Sequence, residues 1–190
     1  MPSRTPPSLG PRVRDLRRQR QWTLEELAER SGVSRAMISK IERAETSPTV
    51  AVAARVASAL GVGLSELIQP PSARARAFVT RLADRAEFRD PKTGFVRELI
   101  SPPFENRRFE LVRHHLPKDA STGVLPPYPR GVEKQVVVLR GKLRVHVAGI
   151  TYALETGDGL FFEADVEHEF ENAGRGDCSY HLVVGAAPGR

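Results

Sequence analysis

Cysteine is almost absent from this chain: Cys178 is the only one among 190 residues. A single thiol excludes an internal disulfide and fits a protein that works in a reducing compartment. Long apolar runs are also lacking, since no stretch approaches the roughly 20 residues that a membrane-spanning helix needs. The opening residues have no apolar core of a signal peptide. These absences predict a cytoplasmic protein without a membrane partner.

Catalytic signatures are equally scarce. The sequence has no nucleophile elbow and no phosphate-binding loop, and Gly61-Val62-Gly63 reads as the end of a helix. Cys178 is followed closely by His181, but a lone cysteine beside a strand is usually a small packing residue. We therefore expect no enzyme activity from these residues.

Positive charge is denser in the first part of the chain. Residues 1–70 carry 11 Lys and Arg against 7 Asp and Glu, a net charge of +4, whereas residues 71–190 carry 18 against 16, a net charge of +2. A basic face suits a polyanionic partner, although many solvated helices are equally basic. The densest cluster consists of Arg12, Arg14, Arg17, Arg18 and Arg20.

The spacing of apolar residues changes near residue 70. Before it, apolar residues recur every three or four positions, as in helices. After it, short runs rich in Val, Phe and Leu are separated by Gly and Pro, as in strands and turns. The pattern predicts a disordered tail over residues 1–9, a helical domain over 10–68, a linker over 69–77 and a β domain over 78–190.

The helical domain shows recognisable helix ends. Thr23 and Glu26 form a capping box at the start of the second helix, Gly32 ends it, and Ser34 is a plausible N-cap of the third. Only a few residues join these two helices, so they must cross steeply. The five predicted helices are Val13–Arg20, a second from Thr23 to Ser31, then Arg35–Glu42, Val50–Leu60 and Leu64–Ile68.

The stretch TLEELAERSGVSRAMISKIE, residues 23–42, resembles the lambda-repressor-like (XRE-type) helix-turn-helix family of bacterial and phage regulators. The resemblance covers about residues 10–68 and implies an all-α five-helix DNA-binding bundle. Ala44 departs from the pattern, because the family usually has glycine after the third helix. The family's core and turn positions are occupied by Leu27, Ala28, Gly32, Val33, Ile38 and Ile41.

Within this resemblance the third helix is the recognition helix, which enters the major groove N-terminus first. Arg35 and Lys40 offer donors for guanine edges, and Ala36 can pack on a thymine methyl group. Exposed amides at the start of the second helix attract phosphate. A solvated face is the alternative for Lys40 and Arg43. The expected DNA contacts are Thr23, Ser34, Arg35, Ala36, Ser39, Lys40, Arg43 and Thr46.

The family resemblance also implies a partner and one internal contact. Arg17 and Glu42 align with a pair that forms a salt bridge between the first and third helices, so Arg17 is a weaker candidate for DNA binding. One small helix-turn-helix unit makes few DNA contacts, and the family generally binds as a dimer. We therefore expect a homodimer on near-palindromic double-stranded DNA with half-sites ~34 Å apart.

The β domain carries a second resemblance. Residues 136–145, around Gly141, look like the cupin hairpin, and residues 157–172 look like the second cupin motif, with His168 and Asn172 in register. The resemblance implies an all-β cupin (double-stranded β-helix) barrel. The predicted strands are Phe95–Ile100, Phe109–Leu116, Gln135–Leu139, Leu143–Val147, Gly159–Phe162 and Ser179–Val184.

The metal-binding pattern of catalytic cupins is missing. Pro126 and Tyr128 stand where the family has two histidines, and Lys134 stands at the glutamate position, so His168 alone remains. One imidazole cannot hold a transition metal, which needs three or four ligands. The resemblance therefore implies neither a metal nor another cofactor. A replacement site would have to draw on His114, His115, His146 or His181.

The same residues suggest a small-molecule site. Tyr128, Lys134 and His168 offer polar groups inside an apolar barrel, and Lys134 favours an anionic metabolite. Arg97 and Arg113 join them if their strands turn those side chains inward. A closed barrel that serves only dimerisation remains the alternative.

The leading hypothesis is thus a ligand-responsive, DNA-binding transcriptional regulator. Two alternatives stay open at this point. One is an antitoxin-like autorepressor that acts as a protein-interaction module, and the other is a cupin enzyme with a tethered DNA-binding domain.

Overall fold

A computed structural model describes residues 9–70, 72, 76–104 and 108–186. Its order of elements confirms a helical bundle followed by a β-rich domain. Residues 1–8 of the predicted tail and residues 71 and 73–75 of the predicted linker lie outside the described residues. The helices described within residues 9–70 are α1 (Leu9–Gln19), α2 (Leu24–Ser31), α3 (Arg35–Glu42), α4 (Val50–Ala59) and α5 (Leu64–Ile68).

The side chains that cap the helices fix where the helices begin. The Thr23 hydroxyl accepts a hydrogen bond from the Glu26 amide at 3.1 Å, while the Glu26 carboxylate accepts one from the Thr23 amide at 2.7 Å. The Ser34 hydroxyl at the start of α3 accepts from the Met37 amide, and the Thr49 hydroxyl at the start of α4 accepts from the Val52 amide, each at 3.3 Å. Since free amides at a helix start need acceptors, these residues define the starts of α2, α3 and α4.

Helix α1 begins four residues earlier than the sequence pattern indicates, at Leu9 and not Val13. Leu9 is buried and belongs to the helix, although it falls in the range predicted as a tail. Pro11 is compatible with this start because proline is tolerated in a first helical turn. At Gly10 an added β-carbon would lie 2.1 Å from the Ile41 carbonyl oxygen, so glycine permits α1 to pack closely on α3.

The β domain consists of two antiparallel sheets. The larger one has the strand order β1-β2-β3-β9-β4-β7 and the smaller one β6-β5-β8. Strands β1, β6 and β8 were not among the six predicted strands. The strands of the described residues are β1 (Glu87–Arg89), β2 (Val96–Leu99), β3 (Phe109–Leu116), β4 (Val132–Arg140), β5 (Lys142–Val147), β6 (Ile150–Glu155), β7 (Gly159–Glu163), β8 (His168–Asn172) and β9 (Cys178–Ala186).

Alternating side chains of both sheets form the barrel core. Leu143 and Val145 of β5 are fully buried, and the rings of Phe170 on β8 and Tyr180 on β9 lie 5.3 Å apart. The turn between β4 and β5 needs Gly141, which has a φ of 89° and lies so near Cys178 that a β-carbon would be only 3.0 Å from the Cys178 Cα. The sequence resemblance predicted a hairpin here, but β4 and β5 belong to different sheets, so the turn at Gly141 connects the two sheets.

No helix among the described residues is both long enough and apolar enough to span a bilayer.

Candidate functional sites

The α3 helix is held in place by a buried ion pair. Arg17 on α1 donates two hydrogen bonds to the Glu42 carboxylate, at 2.7 and 2.8 Å, and a third to the Trp22 carbonyl at 2.7 Å. The hydrogen bond with Glu42 raises the pKa of Arg17 above its usual value. This geometry confirms the internal salt bridge predicted from the sequence. The Arg17 guanidinium is therefore engaged in contacts within the helical domain.

The opposite face of α3 is open to solvent. Ser34, Arg35, Ala36 and Lys40 are exposed, and Ser39 is half-buried beside them. The Arg35 guanidinium contacts the Glu25 carboxylate of α2, and both side chains are more than 60% exposed. An exposed pair of this kind contributes ~0–1 kcal/mol, so exchanging Glu25 for a DNA base costs little.

The remaining expected DNA contacts flank α3. Arg43, at the end of α3, is exposed and pairs with Glu45 at 2.6 Å, and Thr46 is half-buried in the turn that follows. Thr23 is exposed, but its amide and hydroxyl both bond to the Glu26 carboxylate. A DNA phosphate that contacts Thr23 would therefore have to displace the Glu26 carboxylate from the start of α2.

A second candidate site is a cavity of about 210 Å³ at the junction of the two domains. Sites for drug-sized molecules measure ~300–1,000 Å³, so this one suits a smaller metabolite. Its walls are mainly apolar, with a few convergent polar groups. The helical domain contributes Val50, Ala54, Ala57, Ser58 and residues 61–64, and the barrel contributes Phe95, Arg97, His114, Leu125, Pro126, Tyr128, Pro129, Lys134 and Leu182.

Lys134 lies at the barrel side of this cavity and is almost fully buried. Its Nζ donates to His168 Nε2 at 2.6 Å and lies 4.3 Å from the centre of the Tyr128 ring. Burial, followed by the nearby Arg97 charge, lowers the pKa of Lys134 well below its ordinary value. Burial and Lys134 likewise lower the pKa of His168 to about 3, so its imidazole is neutral.

Arg97 connects the cavity to the helical domain. Its Nη2 donates to the Ser65 hydroxyl of α5 at 2.9 Å and also contacts the Glu110 carboxylate. Its Nη1 donates to His114 Nε2 at 2.9 Å. His114 therefore carries its proton on Nδ1 and donates to the Tyr180 hydroxyl at 2.9 Å. Arg97 Nε is buried and has no hydrogen-bond partner among the described residues.

The position of the cupin metal site does not fit a metal ion. The Nε2 lone pair of His168 accepts from Lys134, and its Nδ1 donates to the Val166 carbonyl at 2.9 Å. An ammonium or amine group thus stands where a cation would bind. Among the described residues, no three His, Cys, Asp or Glu side chains come together as a metal cluster.

The structure corrects the prediction for Arg113. On β3 the side chains of Glu110, Val112 and His114 point inward, and Arg113 alternates with them and faces outward. Arg113 bonds to Glu98 at 3.3 Å on that outer face. It does not join Arg97 at the cavity because neighbouring residues of a strand project to opposite sides.

The histidines named as replacement metal ligands are also dispersed. His114 is interior, His115 lies 3.7 Å from Asp177, and His146 lies 3.2 Å from Glu171. Cys178 is buried and His181 lies on the other face of β9, so the two form no catalytic pair. Burial raises the pKa of the Cys178 thiol to about 11, which keeps it protonated and inert at neutral pH.

Sequence reasoning missed the interior polar residues of β3 and the contacts between the domains. His114 was not expected in the cavity wall, and neither were Ser65, Asp90 and Glu110 at the junction. The only signal was the alternation of β3, in which every second residue from Glu110 to Leu116 faces inward. No sequence pattern indicates which strand ends meet the helices.

Comparison with known proteins agrees with this architecture. A family model described as helix-turn-helix matches residues 13–67, and a model described as cupin domain matches residues 119–185. The chain is 33% identical over 179 residues to the HTH-type transcriptional regulator SutR of Escherichia coli (strain K12), covering 93% of each protein.

Solved structures show the same fold. The crystal structure of an HTH_3 family transcriptional regulator from Vibrio cholerae matches with a TM-score of 0.75 and 23% identity, covering 95% of this chain and 97% of that one. The crystal structure of FeII HppE matches with a TM-score of 0.52 and 17% identity, over 93% and 97% of the two chains. At such low identity the second likeness concerns the fold alone.

The fold, the exposed α3 face and these matches define a two-domain transcriptional regulator of the helix-turn-helix class. Within that class, the chain belongs to the XRE-type regulators that join a helix-turn-helix domain to a C-terminal cupin domain.

Proposed function

We propose that this regulator binds its operator as a homodimer in the cytoplasm, reads base pairs with α3, and responds to a small anionic effector at the domain junction. The observation that carries the proposal is the pairing of two features on one chain. An exposed polar helix is fixed by the buried Arg17–Glu42 pair, and a partly enclosed cavity lined by Arg97 and Lys134 lies between that domain and the barrel.

Base reading is assigned to the exposed face of α3. Arg35 and Lys40 can donate to guanine, and Ala36 leaves room for a thymine methyl group. Ser39 lies between Ala36 and Lys40 along the helix and can bond to a base edge or a phosphate. Phosphate contacts, which set register and not sequence, are assigned to Thr23, Ser34, Arg43 and Thr46.

Replacing Arg35 tests this assignment. We expect Arg35→Ala to reduce the discrimination between operator and scrambled DNA by ~1–3 kcal/mol, because a bidentate contact to guanine is lost. The measurement is fluorescence anisotropy on both DNAs at fixed salt. Arg175→Ala removes the same charge from an exposed barrel turn and should weaken neither binding nor discrimination. Unchanged discrimination in Arg35→Ala would refute the role of Arg35.

The effector is assigned an anionic group and a small apolar body. Arg97 supplies positive charge to the cavity, and an anion bound beside Lys134 would favour its protonated form. The unpartnered Arg97 Nε calls for an acceptor that the described residues do not provide. The Tyr128 ring and His168 both contact the Lys134 amine. The apolar walls from both domains suit a short hydrocarbon or ring.

A thermal-shift series with small carboxylates tests the effector. A carboxylate that binds should raise the melting temperature as its concentration increases. At 100 times its Kd it should add about 2.7 kcal/mol to the free energy of unfolding. Lys134→Met should abolish the shift, whereas Lys142→Met, which removes an exposed lysine, should keep it. If no carboxylate raises the melting temperature, the effector role is refuted and dimerisation is the remaining proposed role of the barrel.

A metal-dependent enzyme activity is not part of this proposal. The cupin fold also occurs in enzymes such as HppE, but here Lys134 occupies the space and the lone pair that a metal would need. Without a Lewis acid the barrel lacks the group that polarises substrates in metal-dependent catalysis.

A further inference from the structure

The cavity has one wall in each domain. Val50, Ala54 and Ala57 of α4 and the turn before α5 form the helical wall, and Arg97, Tyr128 and Lys134 belong to the barrel wall. A ligand in this space would therefore contact the DNA-binding domain directly.

Two sets of polar contacts connect the same two domains. The Val50 amide donates to the Asp90 carboxylate at 2.8 Å, and Ser65 of α5 donates to Glu110 at 3.0 Å while accepting from Arg97. Asp90 and Ser65 are each only 1% exposed, so both contacts are shielded from water. Arg97 takes part in both the junction and the cavity wall.

We propose that the effector-binding site belongs to both domains, so that the ligand binds tightly only when the helical domain is docked on the barrel. If the domains separate, the ligand loses the α4 wall and its affinity falls. By thermodynamic reciprocity, an occupied cavity must then favour docking. This inference rests on the proposed effector function and adds the state of the molecule that the effector selects.

Docking has a consequence for DNA binding. A docked helical domain holds α3 in one orientation relative to the barrel, whereas an undocked domain loses that constraint. Occupancy of the cavity thus sets how rigidly α3 is presented to its half-site, and regulation follows from a change in that rigidity.

The Val50 amide is a direct reporter of docking. It is the first amide of α4, so no carbonyl within the helix can accept from it, and its acceptor is Asp90 of the barrel. Its hydrogen exchange, measured by NMR on the full chain, follows the opening of the junction. The Ile38 amide in the bundle and the Phe170 amide in the barrel, which bond within their own domains, report on unfolding.

Ser65→Ala removes the helical side of one contact and leaves the Arg97–Glu110 pair intact. The variant loses two hydrogen bonds, one donated to Glu110 and one accepted from Arg97. We expect Val50 exchange to become at least roughly fivefold faster, the effect of losing one such bond, while Ile38 and Phe170 are unchanged. If Val50 exchanges together with Ile38 and Phe170 in both proteins, the domains do not separate short of unfolding, and the inference is wrong.

Ala54→Leu mimics an occupied cavity, because the larger side chain projects from α4 into the space between the walls. We expect Val50 exchange to become roughly threefold slower or more, since the added methyl groups are buried only in the docked state. Unchanged or faster Val50 exchange would overturn the inference. Loss of the carboxylate thermal shift or of operator discrimination would instead refute the proposed function, whatever the exchange rates show.

Discussion

Lys134 is the residue that sets the chemistry of the barrel. Its position resembles that of a metal-binding glutamate in catalytic cupins, yet it places a nitrogen against His168 and an aromatic face. Burial, followed by Arg97, holds its pKa well below the ordinary value of 10.5, although Glu110 acts in the opposite direction. Folding therefore shifts the equilibrium of this group from the ammonium ion towards the amine.

This lowered pKa predicts how stability depends on pH. Between the lowered pKa of the folded state and pH 10.5, Lys134 is protonated in the unfolded state and deprotonated in the folded state. Unfolding therefore takes up a proton in this pH range, and the contribution of Lys134 to the free energy of unfolding rises with pH. Urea unfolding between pH 7 and 9 should show wild type gaining up to ~1.4 kcal/mol per pH unit relative to Lys134→Met. Lys142→Met should follow wild type. Parallel curves for wild type and Lys134→Met would contradict the prediction.

The elements of the helical domain were largely predictable from sequence because their ends are encoded locally. The caps at Thr23, Ser34 and Thr49 each bond within three residues, so a short pattern suffices to recognise them. The start of α1 was missed because its Gly10-Pro11 pair reads as a helix breaker. Only the close packing of α1 on α3 explains why glycine is needed there.

The strands were less predictable because their faces are decided by distant partners. Five of the six residues of β6 are exposed or at the surface, and β1 has only three residues, so neither gives a clear alternation. On β3 the inward face carries Glu110 and His114, and the polar residues on both faces hid which side was interior. This ambiguity is the reason that Arg113 was placed at the cavity and His114 was not.

The turn after α3 contains a departure from the family pattern with a physical cost. Ala44 stands where the resembled family usually has glycine, and it adopts a φ of 57° in the left-handed region. A β-carbon in that conformation costs roughly 1–2 kcal/mol. The turn joins the recognition helix to the segment leading into α4, so its strain affects how α3 ends.

We expect Ala44→Gly to raise the free energy of unfolding by about 1 kcal/mol, because glycine adopts the left-handed conformation without strain. The measurement is urea denaturation at pH 7. The matched control is Ala28→Gly inside α2, where glycine should lower stability by about 1 kcal/mol. A loss of stability in both variants would show that the φ of Ala44 costs nothing.

At the scale of the whole molecule, the barrel presents an apolar outer face. Val137 and Leu139 of β4 are 39% and 40% exposed, and Phe161 of the edge strand β7 is 57% exposed. Phe161 pairs across the sheet with Gln135, so all three apolar side chains project from the same face. Contiguous exposed apolar residues of this kind are typical of protein interfaces.

In the proposed function the partner is a second copy of the chain, because one α3 would read only one half-site. In a dimer, binding of one recognition helix to its half-site raises the effective concentration of the second helix at the other half-site, which increases the overall affinity for the operator. We therefore expect the face formed by Val137, Leu139 and Phe161 to hold the homodimer together. Its orientation would then set the distance between the two recognition helices.

Phe161→Asp should break this dimer, because a carboxylate would be buried against an apolar surface. Sedimentation equilibrium should give a monomer, and operator affinity should fall by at least tenfold while each α3 keeps its preference for the correct half-site. Ile150→Asp changes an equally exposed apolar residue on the other sheet and should leave both properties unchanged. A monomeric Phe161→Asp protein with undiminished operator affinity would mean that one α3 is enough, and the two-half-site model of binding would be wrong.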